Sequence, residues 1–126
     1  MSEVSIEHVN VTVADPKATA GMLCRLFDWQ VRWHGPSQLG GYTYHVGGEQ
    51  SYVAVYTTGS ELATVAKGPY IRCLNHIGIQ VDDLDAIEAR VVAEGLTPYN
   101  HGDYEPGRRF YFNDADDVEY EVVAYG

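Results

Sequence analysis

The sequence predicts an α+β fold made of two copies of one βαβββ unit, and three observations support this prediction. Residues 6–15 align without a gap with residues 74–83, so that His8 matches His76. A short amphipathic segment follows each of these stretches, and three strand-like segments follow each amphipathic segment. An internal repeat of this kind is the signature of a duplicated supersecondary unit, so two modules of the same architecture are expected.

The repeated stretch alternates between two faces in both copies. One face is β-branched throughout: Val9, Val11 and Val13 in the first copy, and Ile77, Ile79 and Val81 in the second. The other face begins with a histidine in each copy, His8 and His76. Period-two alternation with β-branched residues is typical of a strand with one buried face, so each module is predicted to open with such a strand.

An amphipathic helix is predicted after each opening strand. Asp15 can cap the first helix, and Pro16 suits its first turn, where a missing N–H leaves no bond unmade. Asp83 can cap the second helix, and Gly95 is expected just beyond its end. Apolar residues recur at helical spacing in both segments: Met22, Leu23, Leu26 and Phe27, and Leu84, Ile87 and Val91.

Three further strands are predicted in each module, separated by turns rich in glycine, proline and aspartate. The segments are 29–34, 42–46 and 52–57 in the first module, and 97–101, 109–112 and 118–124 in the second. Module one therefore extends over about residues 4–57 and module two over about 73–125 of a single domain. The connector at 58–72 contains a stretch, 61–67, that fits either a helical turn or a loop.

The charge and composition of the chain argue against some classes of binding partner. The chain of 126 residues has 8 basic and 18 acidic side chains and a formal net charge of −10. This charge repels phosphate backbones and anionic lipids, which argues against nucleic-acid and membrane partners. No apolar run approaches a transmembrane length, residues 1–4 lack the start of a signal peptide, and two cysteines are too few for a secreted disulfide framework. We therefore expect a cytoplasmic protein.

The tandem unit with a histidine in each opening strand resembles the vicinal oxygen chelate superfamily. This superfamily includes glyoxalase I, extradiol dioxygenases, fosfomycin-resistance transferases and bleomycin-binding proteins. The most specific local match, residues 110–121, is similar to the family's closing pattern of an aromatic strand, a turn and a strand with a metal-binding glutamate. Ala115 and Asp117 stand where the family usually has proline and glycine, a difference in the turn and not in the ligand. The resemblance covers essentially the whole chain.

The resemblance implies a glyoxalase-like fold, in which two curved sheets form a cup and the helices lie outside. The β-branched faces of the opening strands would then pack on the helices. The histidine faces would look into the cup. The closing strands of the two modules would add the remaining side chains of the interior: Tyr52, Ala54, Tyr56, Glu119, Glu121 and Val123.

The resemblance also implies a metal site with one ligand from the first and last strand of each module. The matching positions are His8, Ala54, His76 and Glu121, of which Ala54 cannot bind a metal. Two histidines and one carboxylate with open coordination positions suit Fe(II) or Mn(II), and Zn(II) or Ni(II) are also compatible. Glu119 faces the same way as Glu121 but has the less typical spacing from the turn. A strand histidine taken alone is more often a polar residue of an exposed face, and that interpretation stays open.

Because Ala54 cannot be a ligand, the resemblance favours some reactions of the superfamily over others. Glyoxalase I uses a carboxylate near Ala54 as base, whereas two histidines and one glutamate are the set of extradiol dioxygenases and fosfomycin-resistance transferases. The transferase is expected less, because the family's downstream anion-binding segment is not in the sequence. His101 precedes Phe110 and Tyr111 at nearly the dioxygenase spacing, which makes His101 a candidate acid/base group and Tyr111 a candidate hydrogen-bond donor. Alternatively, His101 is only a polar residue at the end of a strand, and Tyr111 is only a packed aromatic ring.

Two functional hypotheses follow. The first is a divalent-metal enzyme acting on a small oxygenated substrate, with extradiol-type dioxygenase chemistry slightly favoured over lyase or isomerase chemistry. The second is a metal-free, small-molecule-binding protein of the bleomycin-resistance type. Tyr52, Tyr56 and Arg109 are the substrate-binding candidates, with Arg109 either clamping a carboxylate or offsetting acids such as Glu105. The family's habit implies a homodimer.

Overall fold

The computed structural model describes residues 5–59, 70–103 and 107–125, and it confirms the predicted α+β fold class. The chain divides into two compact units, residues 1–63 and residues 64–126. Within the described residues each unit has one α-helix and one four-stranded mixed sheet. The predicted stretch 61–67 lies outside the described residues, as does Glu105.

Unit 1 follows the predicted order of elements. These are β1 (His8–Thr12), α1 (Pro16–Phe27), β2 (Gln30–Pro36), β3 (Tyr42–Gly47) and β4 (Tyr52–Thr57), with a short 3₁₀ turn at Gln38–Gly40. The strands are arranged in the order β1-β4-β3-β2. Strand β1 is parallel to β4, and the other pairs are antiparallel.

Unit 2 repeats this plan. Its elements are β5 (Ile77–Gln80), α2 (Leu84–Ala93), β6 (Tyr99–Asp103), β7 (Arg108–Asn113) and β8 (Glu119–Ala124), in the strand order β5-β8-β7-β6. The parallel register places Gly78 opposite Glu121, just as Asn10 lies opposite Ala54 in unit 1. Because Asn10 and Gly78 are matching positions of the repeat, Ala54 and Glu121 are structurally equivalent.

Both helices begin at the predicted caps, and α2 ends just before the predicted glycine. The Asp15 carboxylate accepts the Ala18 N–H at 3.2 Å, and the Asp83 carboxylate accepts the Ala86 N–H at 3.0 Å. After α2, Gly95 adopts φ +84°, the left-handed conformation that closes a helix at little cost to glycine. No helix in the described part of the chain is long and apolar enough to cross a membrane.

Each sheet has one apolar, helix-covered face. In unit 1, α1 contacts β3 and β4, and the buried side chains include Leu23, Leu26, Val46, Val53 and Val55. In unit 2, α2 contacts β7 and β8, and the buried side chains include Val91, Phe110, Phe112, Tyr120 and Val122. The expected burial of the first β-branched face holds for Val13, just after β1, but not for Val9, which is 36% exposed on this edge strand.

Two irregular registers break the strict alternation of the sequence-based prediction. In unit 1 the β2–β3 register shifts between Val31 and Trp33, so that Arg32 is an extra residue on the β2 edge. In unit 2 the β6–β7 register shifts between Tyr99 and Gly102, where Asn100 has φ +58°. A bulge re-aims the side chains around it, and both bulges alter which residues share a face.

The turn before β8 is held by one buried carboxylate. Asp114 accepts hydrogen bonds from the Asp116 N–H at 2.9 Å, the Val118 N–H at 3.0 Å and the Tyr120 hydroxyl at 3.1 Å. Burial raises the pKa of the Asp114 carboxyl, and burial together with the nearby Asp114 charge raises the pKa of Tyr120. This turn fixes where β8 begins and therefore which of its side chains face the open side of the sheet.

We expect Asp114→Ala to destabilise the protein by about 3 kcal/mol, because two backbone N–H groups and a buried hydroxyl lose their acceptor. Asp114→Asn should cost about half as much, since the amide oxygen still accepts from the backbone. Urea denaturation measures both. Tyr120→Phe is the control, because it removes only the buried hydroxyl, and equal losses for all three variants would contradict this account of the turn.

Candidate functional site

The face of the second sheet that α2 does not cover is polar. Along β8 the buried Tyr120 and Val122 alternate with Glu119 and Glu121, which are only partly buried. The antiparallel register sets Tyr111 opposite Glu121 and Asn113 opposite Glu119. Paired residues share a face, so the carboxylates, the phenol and the amide lie together.

The Glu121 carboxylate has a basic partner at each oxygen. His76, immediately before β5, places Nε2 3.0 Å from Oε1, and Arg109 of β7 donates to Oε2 at 2.7 Å. The side chains of Glu121 and Arg109 are only 14% and 12% exposed, whereas His76 is 33% exposed. The contact between His76 and Glu121 therefore lies where the cluster opens to solvent.

Tyr99 and Glu119 form a second part of the same polar face. The Tyr99 hydroxyl donates a hydrogen bond to Glu119 Oε2 and lies 3.3 Å from Asn113 Oδ1. Burial, followed by the hydrogen bond and charge of Glu119, raises the pKa of Tyr99 to about 12. The phenol therefore stays protonated across the physiological range and holds the Glu119 carboxylate in place.

Tyr111 and Gly78 complete the surroundings of His76 and Glu121. The Tyr111 ring meets the His76 ring edge-on, with centroids 5.8 Å apart. Gly78, beside Glu121 in the parallel register, has open space where a Cβ would stand. The arrangement leaves room next to the carboxylate and the imidazole.

His101 does not join this cluster. Its Nε2 lies 2.9 Å from Glu88 Oε2 on α2, and its ring stacks near that of the core residue Phe110. Two residues earlier, Tyr99 faces the carboxylates instead. Strict alternation would have put both side chains on one face, and the bulge in β6 is the physical reason why they separate. Sequence reasoning missed Tyr99 for the same reason, since its only signal was a tyrosine in a predicted strand.

The two adjacent arginines have different partners. Arg109 is bound to Glu121 within the cluster, so its charge serves a carboxylate of the protein itself. Arg108 points the other way and lies 3.2 Å from Asp85 at the start of α2. The predicted substrate clamp at Arg109 would therefore compete with Glu121.

The predicted site residues of unit 1 lie on the corresponding face of the first sheet. His8 stacks on Tyr52, with ring centroids 4.8 Å apart and planes 11° apart, and its Nδ1 lies 3.0 Å from Glu7 Oε1. Tyr56 is buried and donates from its hydroxyl to the Gln38 carbonyl at 2.8 Å. Tyr52 is therefore only partly buried, whereas Tyr56 is buried and bonded to the backbone.

Two of the three predicted metal ligands, His76 and Glu121, contact each other within unit 2. Among residues 5–59, 70–103 and 107–125, no group of three or more His, Cys, Asp or Glu side chains is placed to hold a metal ion. Because His8 belongs to the other unit, the three-ligand site stays a prediction. His76 Nε2 and Glu121 Oε1 are the donors that unit 2 offers to a cation.

Comparison with known proteins identifies the family. Residues 5–122 match the model of the Glyoxalase/Bleomycin resistance protein/Dioxygenase superfamily. A glyoxylase/bleomycin resistance protein/dioxygenase domain from Frankia sp. EAN1pec superposes with a TM-score of 0.82 at 20% identity, covering 99% of this chain and 94% of that one. No curated protein matches the chain.

Two further solved structures share the fold. The fosfomycin resistance protein FosX from Listeria monocytogenes, complexed with Mn(II) and sulfate, has a TM-score of 0.73 at 18% identity, covering 99% of this chain and 95% of that one. An integron cassette protein from the mobile metagenome of V. cholerae has a TM-score of 0.67 at 18% identity, covering 100% and 98%. At these identities the structures establish the fold, and the family match over nearly the whole chain establishes descent. The chain therefore belongs to the Glyoxalase/Bleomycin resistance protein/Dioxygenase superfamily.

Proposed function

We propose that this protein is a divalent-metal-dependent enzyme that acts on a small substrate with two adjacent oxygens, and that His76 and Glu121 are two of its metal ligands. The observation that carries the proposal is the 3.0 Å contact between His76 Nε2 and Glu121 Oε1. Membership of the superfamily supports it, and the Mn(II) complex of FosX supports a divalent ion. Fe(II) and Mn(II) suit the donor types best, with Zn(II) and Ni(II) also compatible.

The donor chemistry of the cluster fits such an ion. An imidazole nitrogen and a carboxylate oxygen that already meet at one point need little rearrangement to bind a cation between them. Arg109 would keep its hydrogen bond to Oε2 and so fix the orientation of the Glu121 carboxylate, as outer partners of metal ligands commonly do. The guanidinium also repels a cation, which favours a site of moderate affinity.

His8 is the third ligand that we propose. It occupies in β1 the position that His76 occupies before β5, and the matching registers of the two units support this equivalence. Ala54, the equivalent of Glu121, offers no donor. The ligand set therefore consists of two imidazoles and one carboxylate, with positions left for the substrate.

Residues around the ligands would supply the rest of the chemistry. A bound divalent ion would act as a Lewis acid on the two substrate oxygens. Tyr111, beside His76, is suited to donate a hydrogen bond to one of those oxygens. Tyr99 holds Glu119 in a fixed position on the same face, where this second carboxylate can orient a substrate hydroxyl.

We propose lyase or isomerase chemistry in preference to ring-cleaving dioxygenase chemistry. The dioxygenase hypothesis needed His101 as the acid/base group. Its imidazole is bonded to Glu88 on the helix side of the sheet, while Glu121 and Tyr111 lie on the other side. The acid/base role is therefore better assigned to a residue on the face that holds Glu121 and Tyr111.

A metal-free binding protein is the second candidate, and one observation favours it. Both oxygens of Glu121 are already satisfied by protein groups, His76 and Arg109, without any cation. The aromatic side chains of unit 1 would then bind the ligand. The metal content of the purified protein separates the two candidates.

We expect protein purified without chelators to hold about one divalent ion per chain, and His76→Ala to lower Mn(II) affinity at least tenfold. The physical reason is the loss of one of the donors. Metal analysis and Mn(II) titration followed by electron paramagnetic resonance measure both quantities. His8→Ala should have a similar effect if His8 is the third ligand.

His101→Ala and Glu119→Gln are the matched controls and should leave Mn(II) affinity unchanged. Glu121→Gln is a weaker test, because loss of the carboxylate breaks its ion pair with the largely buried Arg109 and therefore also destabilises the fold. His76→Ala preserves that ion pair. A wild-type protein that binds no divalent ion would favour the metal-free candidate.

We also expect Fe(II)-reconstituted protein to show no oxygen consumption with catechols, because His101 is turned away from the carboxylates. An oxygen electrode measures this directly. Oxygen uptake that is abolished by His101→Ala would restore the dioxygenase hypothesis and contradict the assignment made from the polar face.

A further inference from the structure

A row of aromatic rings crosses all four strands of the first sheet on one face. His8 of β1, Tyr52 of β4 and His45 of β3 stack in sequence, with centroids 4.8 and 4.4 Å apart and planes 11° and 22° apart. Trp33 of β2 continues the row, its ring 5.1 Å from that of His45 and tilted by 56°.

The bulge in β2 brings a cation to this row. Because Arg32 is the extra residue of the bulge, it does not take the opposite face to Trp33 as alternation would require. Its guanidinium carbon lies 4.6 Å from the centroid of the Tyr52 ring, two strands away across β3. Gly47, which lies on β3 opposite Tyr52, has no side chain to obstruct this approach, and a Cβ there would be only 2.6 Å from the Tyr52 Cα.

Arg32 places one positive charge at this row, although the chain as a whole carries a net charge of −10. Among the described residues no carboxylate forms an ion pair with Arg32, and Glu7 is bonded to His8 at the far end of the row. Burial, followed by the neighbouring His8 and Arg32, lowers the pKa of His45, and Glu7 acts in the opposite direction. Trp33, at the β2 end of the row, is 50% exposed, so this end is open to a ligand.

We propose that Arg32, His45, Tyr52 and Trp33 form a binding site for a small aromatic molecule that carries an oxyanion, a carboxylate or a phosphonate. Arg32 offers a planar fork of N–H donors that matches either oxyanion. The Tyr52 hydroxyl and the His45 imidazole are further hydrogen-bonding groups of the same row. The exposed indole of Trp33 supplies the surface on which an aromatic ring stacks.

This site extends the proposed function, because it specifies the charge of the substrate. In this respect the inference rests on the proposed function. Binding itself requires no metal. It is therefore tested with protein that has been stripped of metal and transferred into metal-free buffer, so that a failure of the anion site and a failure of the metal site give different results.

Tryptophan fluorescence reports on the site directly. The chain contains two tryptophans, so Trp29→Phe leaves Trp33 as the only one. We expect benzoate or phenylphosphonate to change the Trp33 emission in a saturable manner and to bind at least tenfold more tightly than benzamide, which has the same shape without the charge. Comparison of the two anions identifies the preferred oxyanion, and either preference supports the proposal.

Variants test the role of Arg32. Arg32→Gln should weaken binding of the preferred anion at least tenfold, whereas Arg108→Gln, which removes the same charge from unit 2, should leave it unchanged. If Arg32→Gln does not fold, Arg32→Lys serves in its place, since it keeps the charge and loses the planar fork, and we expect a several-fold loss. Equal binding of benzamide and benzoate, or an unchanged affinity in the folded Arg32 variants, would overturn the proposal.

Discussion

Alternation along β8 is the constraint on which the rest of the molecule depends. Tyr120 and Val122 are buried in the core, and this fixes Glu119 and Glu121 on the opposite side of the sheet. A shift of the register by one residue would bury two carboxylates and expose the core, so the register is strongly specified. The buried turn at Asp114 determines where β8 begins. The polar face that we assign to function is thus a direct consequence of how the core of unit 2 packs.

The two units use one architecture for two kinds of surface. Glu121 in unit 2 corresponds to Ala54 in unit 1, and Tyr111 opposite Glu121 corresponds to His45 opposite Ala54. Unit 2 therefore presents paired charges, whereas unit 1 presents a stack of rings with one arginine above it. The two surfaces therefore differ at a few matching positions while the strand order stays the same.

Local signals predicted most of the fold, because alternation, helix caps and turn residues act over short stretches. The caps at Asp15 and Asp83 and the glycine at the end of α2 were all confirmed. The two bulges carried no such signal, since they depend on pairing with a neighbouring strand. For that reason the sequence could not assign Tyr99 and Arg32 to their faces, nor could it separate His101 from the candidate site. The partner of Arg109 was likewise a tertiary contact that no sequence pattern encodes.

The central claim is that His76 Nε2 leaves its hydrogen bond with Glu121 to bind a divalent ion. Nitrogen-15 spectra of histidine-labelled protein titrated with Zn(II), a diamagnetic ion, observe this nitrogen directly. We expect one equivalent of Zn(II) to shift the His76 Nε2 resonance strongly while the resonances of His34 and His101 stay in place. An unchanged His76 Nε2 resonance in the presence of saturating Zn(II) would contradict the account.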